Sequence, residues 1–448
     1  MVPWLAPCDQ KLVHPNAIFD NPEQQREYIR QWLRGRVDFE PTFDIHFYPG
    51  RYAIDKGSIV PVGDVTECVP EEEADVAVLE EPEHLTWFHH GERWSDKFRH
   101  VVGIIHTNYL EYARREKNGE RKEALLRNVN HAVARMHCHK VIKLSDAVQD
   151  FARSVTVNVH GVSPHFIEVG RKVAQAAEER GRGASADRVA SAGSFTKGGY
   201  FIGKVLWAKG YLELIERVKE YNAAAAPKDR LELDVFGDGD DFKDVKGTAE
   251  RGGLPLTFHG RADHAGEASR EYKFFINPSL SDVLATTTAE ALAMGKFVVC
   301  AHHPSNAFFS TFSNCRTYST PAEFADCIRE VLHSDPEPIP PEDLHRLTWQ
   351  AATERFLDAA EPADSSELRL GRSGRSLGRH TKGRIIIKAH VEAAHDWLSV
   401  QLHKWLTASE ALRCLVGAGA GTLVAPRGDR ALAAWRPDSW SGGVMDRK

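Results

Sequence analysis

Apolar and polar positions along this chain alternate between short apolar runs that suit strands and longer stretches with apolar residues three or four apart that suit helices. A charged helix is predicted at about Glu23 to Arg36, with Tyr28, Ile29, Trp32 and Leu33 at helical spacing. Phe43 to Tyr48 reads as a strand ending at Pro49-Gly50, and Ile59 to Gly63 as a short exposed segment. Buried strands are expected at Ala74–Leu79 and Val101–Ile105, a helix at about 122–138, and further strands at Lys140–Ser145 and Val155–Val159. The alternation restarts with a strand at Gly199–Lys204, a helix at Tyr211–Tyr221, a strand at Leu231–Phe236, a helix from about 241 and a short strand at Leu256–Arg261. Helices at Pro321–His333 and about Leu344–Phe356 close the pattern. Met1 to Leu5 is not preceded by the strand and glycine-rich turn with which a Rossmann-like domain normally opens.

The stretch from Phe274 to Cys300 organises the rest. Phe274-Phe275-Ile276 suits a buried strand, and Pro278 ends it. Thr287, with Glu290 three residues on, fits a capping box ahead of a helix through Met294, and Gly295 stands where a helix needs a left-handed stop. Phe297 to Cys300 resumes a strand. The helix N-terminus therefore opens at the carboxyl end of a parallel strand, where open α/β sheets bind ligands and where phosphate is favoured. Asp282 and Glu290 frame this turn; the local alternative is that Glu290 only caps its helix and Asp282 is a loop residue.

Between the two series of βα units lies Arg171–Arg188, rich in Ala, Glu, Arg and Gly with little apolar periodicity. The expected organisation is an α/β fold with parallel sheets: a first Rossmann-like domain at 1–170, a linker at 171–190, a second Rossmann-like domain at 191–340, a helix at 341–358 crossing back, and a flexible tail at 359–448. Arg369, Arg372, Arg375, Arg379, Lys382, Arg384 and Lys388 make the tail basic. Beside Trp397, Leu398, Leu402 and Trp405 this patch either docks on anionic lipid or is a solvated tail.

With 448 residues the chain has core enough for two domains, and its 42% apolar and 27% charged content is that of a soluble globular protein. A net charge of −6 and a pI near 6.4 argue against a general nucleic-acid binder. Seven cysteines without a CxxC pair point to reduced thiols, and no apolar run reaches the length of a membrane-spanning helix. The loop Glu80–Gly91 gathers acids, histidines and aromatics at a strand's end, without the ligand spacing of a metal site. Asp238 and Asp240 form either a DxD-type metal pair or a turn and N-cap. His106, at the end of the Val101–Ile105 strand, is either structural or placed to polarise a sugar hydroxyl or phosphate.

The spacing of Asp282 and Glu290 resembles the paired-acid signature of retaining nucleotide-sugar glycosyltransferases of the GT-B architecture, family 4, with Asp282 where Glu is usual. The resemblance sharpens over longer runs: Asp75 to Gly91, His106-Thr107-Asn108-Tyr109-Leu110-Glu111-Tyr112, Asn158 to Val162, Gly203-Lys204, Trp207 to Tyr211, Phe236-Gly237-Asp238-Gly239, Gly260 to Ala265, the organising stretch, and Trp349 to Phe356. These runs, spread over about residues 3 to 358, resemble the plant and algal digalactosyldiacylglycerol synthases. The resemblance implies two Rossmann-like domains facing across a cleft, with galactose passing from UDP-galactose to monogalactosyldiacylglycerol with retention. It also implies peripheral attachment to the cytosolic face of the chloroplast outer envelope membrane. It places Lys209 and, more weakly, Lys204 on the donor diphosphate, with the amides of Thr286, Thr287 and Thr288. It places Glu290 on the ribose, Asp282 on the galactose hydroxyls, and His106 on the sugar or leaving group. No cofactor or obligatory metal is implied. Because the family's opening strand and loop have no counterpart before Met1, the expectation is a chain lacking that segment, with a weakened first domain. Alternatives are a related transferase with another sugar or acceptor, or a non-catalytic envelope protein that binds nucleotide sugar or lipid.

Overall fold

The computed structural model describes residues 1–361 except 15–16, 35–39, 55–57, 88, 90, 115–117 and 182–194, together with Leu398 and Gln401. The described chain divides into two compact units, Met1–Gly103 with Val129–Val141, and Ile104–Asn128 with Ile142–Glu361.

In the first unit β1 (Val2–Trp4) runs parallel to β2 (Phe47–Ala53), which pairs antiparallel with β3 (Ser58–Pro61). Trp4 of β1 stands edge-on to Phe47 at 6.1 Å. Two expectations are corrected here. The strand expected over Phe43–Tyr48 begins only at Phe47 and runs on through Pro49-Gly50 to Ala53, because the ladder to β3 pairs Gly50 to Ala53 with Pro61 to Ser58. Ile59–Gly63 is not an exposed segment, since Val60 is fully buried. The helix Pro22–Arg34 matches its expected place. The buried Gln10 amide ties the opening segment together, donating to Leu5 O at 2.9 Å and accepting from Phe19 N at 2.8 Å.

A four-stranded sheet carries the chain onward in the order β4 (Val76–Glu80), β5 (His100–Ile105), β6 (Lys140–Lys143), β7 (Ser154–Thr156). The loop expected at Glu80–Gly91 contains a short helix, Pro82–Trp87.

The second unit is built on six strands, all parallel: β8 (Lys197–Ile202), β9 (Leu233–Phe236), β10 (Leu256–Gly260), β11 (Tyr272–Asn277), β12 (Phe297–Ala301) and β13 (Cys315–Tyr318). Their order across the sheet is β10-β9-β8-β11-β12-β13. The chain thus winds outward in one direction from β8, returns, and winds in the other from β11, the doubly wound Rossmann order. Phe274, Phe275, Ile276, Val298, Val299 and Cys300 are wholly buried, as strands covered on both faces require. The helix Tyr211–Ala224 presents Tyr211, Leu214, Ile215, Val218 and Tyr221 to this core at three- and four-residue spacing. Gly295 stops the helix Thr286–Ala293 with φ of 78°, as its position predicts.

The segment read as a linker opens as the last turns of an 18-residue helix, Pro164–Gly181, whose Phe166 and Ile167 join the core; residues 182–194 lie outside the described residues. In place of one helix over 341–358 there are two, Pro341–Arg346 and Trp349–Ala360. The second is tied into the unit by Arg355 Nε, which donates to Asn158 O at 2.6 Å, and by Val162, which bridges to Thr348. The basic patch between 369 and 388 lies outside the described residues.

Candidate active site

Strand order reverses between β8 and β11, and the crevice at the carboxyl ends of two such strands is where open α/β sheets bind ligands. The loop after β8 carries Lys204 and Lys209; the loop after β11 carries Asp282 and leads into the helix Thr286–Ala293. Buried Asn277, the last residue of β11, shapes its loop by accepting from Ser279 N at 3.1 Å and donating to Thr288 Oγ1 at 3.1 Å. Ser281 Oγ then donates across the crevice to Ala208 O at 2.5 Å. Gly210, at φ 86°, lets the two loops close: a Cβ there would stand 2.8 Å from the Ser279 backbone.

These contacts put Lys209 Nζ 2.6 Å from Asp282 Oδ1, with the lysine side chain one-third exposed and the aspartate 15% exposed. Burial alone would lower the Lys209 pKa, but the charge and hydrogen bond of Asp282, with Tyr112 behind, hold it above the ordinary value. An ammonium kept charged beside a carboxylate at a switch point suits a ligand that has both phosphate and hydroxyl groups.

Glu290, on the same helix, does not form the expected capping box. The N-cap is Ala285, without a side-chain cap, and the Glu290 carboxylate turns instead to His264, Oε2 to Nδ1 at 2.6 Å. Thr286 is exposed and Thr287 half-buried, while Thr288 is fully buried, its amide bonded to Ala285 O at 3.1 Å. Thr288 therefore departs from the expected diphosphate cradle, because its amide and hydroxyl are committed to the helix start and to Asn277.

Electrostatics join further residues of the second unit to this site. Burial lowers the pKa of His160, as does the nearby His106, while Glu290 acts in the opposite direction. Burial likewise lowers that of His303, against the charges of Asp282 and Glu111. His160 also stands edge-on to Trp349, 4.9 Å between ring centroids. The structure thus forms two groups, Glu290 with His106, His160 and His264, and Lys209 with Asp282, Glu111 and His303; sequence reasoning gave no role to Glu111, His160, His264 and His303. Membership in the resembling runs was their only signal, and His303 lies outside them.

Lys204 is exposed and lines a cavity of about 550 Å³ at the carboxyl ends of β8, β9 and β10, with Ile202, Gly203, Gly237, Asp238, Gly239, Asp240, Arg261 and Ala262. The acids in this wall do not cap the next helix. Its N-cap is Asp241, whose carboxylate accepts from Trp207 N at 2.9 Å and so braces the Lys209 turn. Among the described residues no group of three or more His, Cys, Asp or Glu is arranged to hold a metal ion.

The crevice, the ion pair and the helix beyond them lie in the part of the chain, residues 197–334, that matches the family model described as Glycosyl transferases group 1. Over a longer span the chain is 46% identical to digalactosyldiacylglycerol synthase 2, chloroplastic, of Lotus japonicus, covering 94% of this chain and 87% of that one. It belongs to the digalactosyldiacylglycerol synthase family. It is also 46% identical to digalactosyldiacylglycerol synthase 1, chloroplastic, of Glycine max, over 94% of this chain but 52% of that protein; the chain spans about half the length of such relatives. Among solved structures it is similar to the alpha,alpha-trehalose 6-phosphate synthase of Burkholderia multivorans, at 13% identity over 70% of this chain and 75% of that one, with a TM-score of 0.44.

Proposed function

We propose that the chain transfers galactose from UDP-galactose to monogalactosyldiacylglycerol, giving digalactosyldiacylglycerol with retention of configuration. The observation that carries this reading is the Lys209–Asp282 pair at the switch point, on the approach to the helix that bears Glu290. In the proposed complex Lys209 binds the donor diphosphate with the Thr286 and Thr287 amides, and Lys204 adds a second cation from the adjoining cavity. The ammonium of Lys209 has three protons, so it can donate to phosphate while keeping Asp282. Glu290 accepts from the ribose hydroxyls and Asp282 from the galactose hydroxyls. The cavity beside Lys204 takes the rest of the nucleoside.

In the reaction the bond between galactose C1 and the diphosphate oxygen breaks, with the electron pair leaving on UDP. An acceptor hydroxyl forms the new C1–O bond on the same face, and its proton passes to the departing diphosphate. Lys209 and the helix N-terminus stabilise the negative charge that grows on UDP, and His106 is assigned, from the resemblance, to assist at the sugar or leaving group. No cofactor is part of this scheme. The acceptor lies in a membrane, and no helix among the described residues is long and apolar enough to cross one. We therefore propose attachment from the cytosolic side of the chloroplast outer envelope, with anionic lipid as a partner.

Transfer of labelled galactose from UDP-galactose to monogalactosyldiacylglycerol in mixed micelles tests this. Activity that falls at least about 100-fold in Glu290→Ala, at an unchanged melting temperature, is the expected result. UDP binding without transfer would overturn it in favour of a binding protein.

A further inference from the structure

We propose that His264 and Tyr200 form a positioning relay that holds the Glu290 carboxylate in one orientation for the vicinal diol of a nucleoside diphosphate. This rests on the ribose-binding reading of Glu290. Three elements converge: Tyr200 from β8, His264 from the turn after β10, and Glu290 from the helix after β11. His264 Nε2 lies 2.7 Å from the Tyr200 hydroxyl and its Nδ1 lies 2.6 Å from Glu290 Oε2.

Glu290, as a carboxylate, can only accept, so Nδ1 carries the proton that it donates. In the neutral imidazole Nε2 is then an acceptor, to which the Tyr200 hydroxyl donates. Burial, and then the Glu290 charge, keep that phenol far above its ordinary pKa, so its proton is always present. The ring is clamped as well: Phe166 and Phe275 pack at 5.6 and 6.1 Å between centroids, and the His264 carbonyl accepts from Ser269 Oγ at 2.6 Å.

A free glutamate rotates about its terminal torsion and would have to be ordered by each ligand that binds. With Oε2 pinned, the plane of the carboxylate is set before the nucleotide arrives. Oε1 and the second lone pair of Oε2 remain for two neighbouring hydroxyls. His264 and Tyr200 are positioning residues, acting on the ligand only through Glu290, much as outer groups orient a metal's ligands.

Calorimetric titration of the chain with UDP and with 2′-deoxy-UDP tests this, with melting temperatures measured in parallel. Wild type should bind UDP about tenfold or more tightly than the deoxy analogue, and Glu290→Ala should abolish that preference. His264→Leu keeps bulk but has no donor; the preference should fall to about twofold or less. His264→Asn restores an N–H near the Nδ1 position and should recover most of it, although both substitutions disturb the same packing. Tyr200→Phe, which removes only the hydroxyl, should lower the preference partway. A wild type without preference would overturn the ribose reading and the relay with it. A preference lost in Glu290→Ala but kept in His264→Leu would overturn the relay alone. Should His264→Leu not fold, Tyr200→Phe decides: a reduced preference supports the relay and an unchanged one overturns it.

Discussion

In the second unit β11 and β12 lie inside six parallel strands, and every residue from Phe274 to Asn277 is buried. In the first unit β4 has a similar apolar sequence, yet Ala77 and Leu79 are buried while Val76 and Val78 stand 60% and 47% exposed. Both stretches read as strands because they are short apolar runs; what differs is whether a second layer covers the other face. Two buried ionisable groups, one in each unit, are accommodated differently. Lys296, in the second unit, donates to Tyr272 O at 2.6 Å and Arg270 O at 3.1 Å, and faces the ring of Phe195 at 4.7 Å. Burial brings its pKa down to about 7, and its hydrogen bonds serve the neutral amine as well as the ammonium. Glu83, in the first unit, has a carboxyl oxygen with no hydrogen-bond partner, and burial pushes its pKa up to about 8. Backbone carbonyls receive the Lys296 amine, whereas burial leaves the Glu83 carboxyl to be neutralised by protonation.

The largest effect should come from Phe274→Ala, which empties a fully buried site in the middle of the sheet. A loss of about 3–5 kcal/mol is expected in denaturant titrations, and a loss below about 1 kcal/mol would mean that the sheet can collapse around the gap. Glu83→Gln addresses the contrast in buried charge. The folded pKa, about 8, lies above the ordinary 4.5, so the folded state holds a proton that the unfolded state releases across that window. This contribution is complete below about pH 4.5 and is lost as pH rises to about 8, with a size of a few kcal/mol. Wild type should lose stability over that range more steeply than Glu83→Gln in melting curves at fixed salt; parallel curves would place the carboxyl in contact with water. The smallest effect belongs to Val76→Thr on the open face of β4, expected within about 0.5 kcal/mol of wild type. Val299→Thr in β12 buries an extra hydroxyl and should cost about 1–3 kcal/mol. Equal costs at the two positions would remove the distinction between the strands.

Much of the second unit was legible because its strands are continuous apolar runs ended by Pro278 or glycine, and the helix Pro321–His333 begins and ends where predicted. Asp282 and Glu290 drew attention because they frame the turn between β11 and the next helix, whereas Lys209 came only from the resemblance. His264 and Tyr200 were not legible, since their partners lie 26 and 64 residues away and no local spacing announces such a contact. The helix Pro164–Gly181 was partly read as a linker because its Ala- and Glu-rich latter half lacks a strong apolar stripe, although those residues favour a helix on propensity. β13 passed unread because, at the sheet's edge, it mixes Arg316 and Thr317 with Cys315 and Tyr318.

The hydrogen bond from Arg355 to Asn158 spans 197 residues of chain. On a ribosome adding roughly 5–20 residues per second, Asn158 would wait on the order of 10–40 s for that partner to be made. For that interval Val162 also lacks Thr348, and His160 lacks the Trp349 ring that flanks it in the finished site. The surroundings of His160 are therefore among the last parts of the second unit to mature, completed only after all six strands of the sheet have been synthesised.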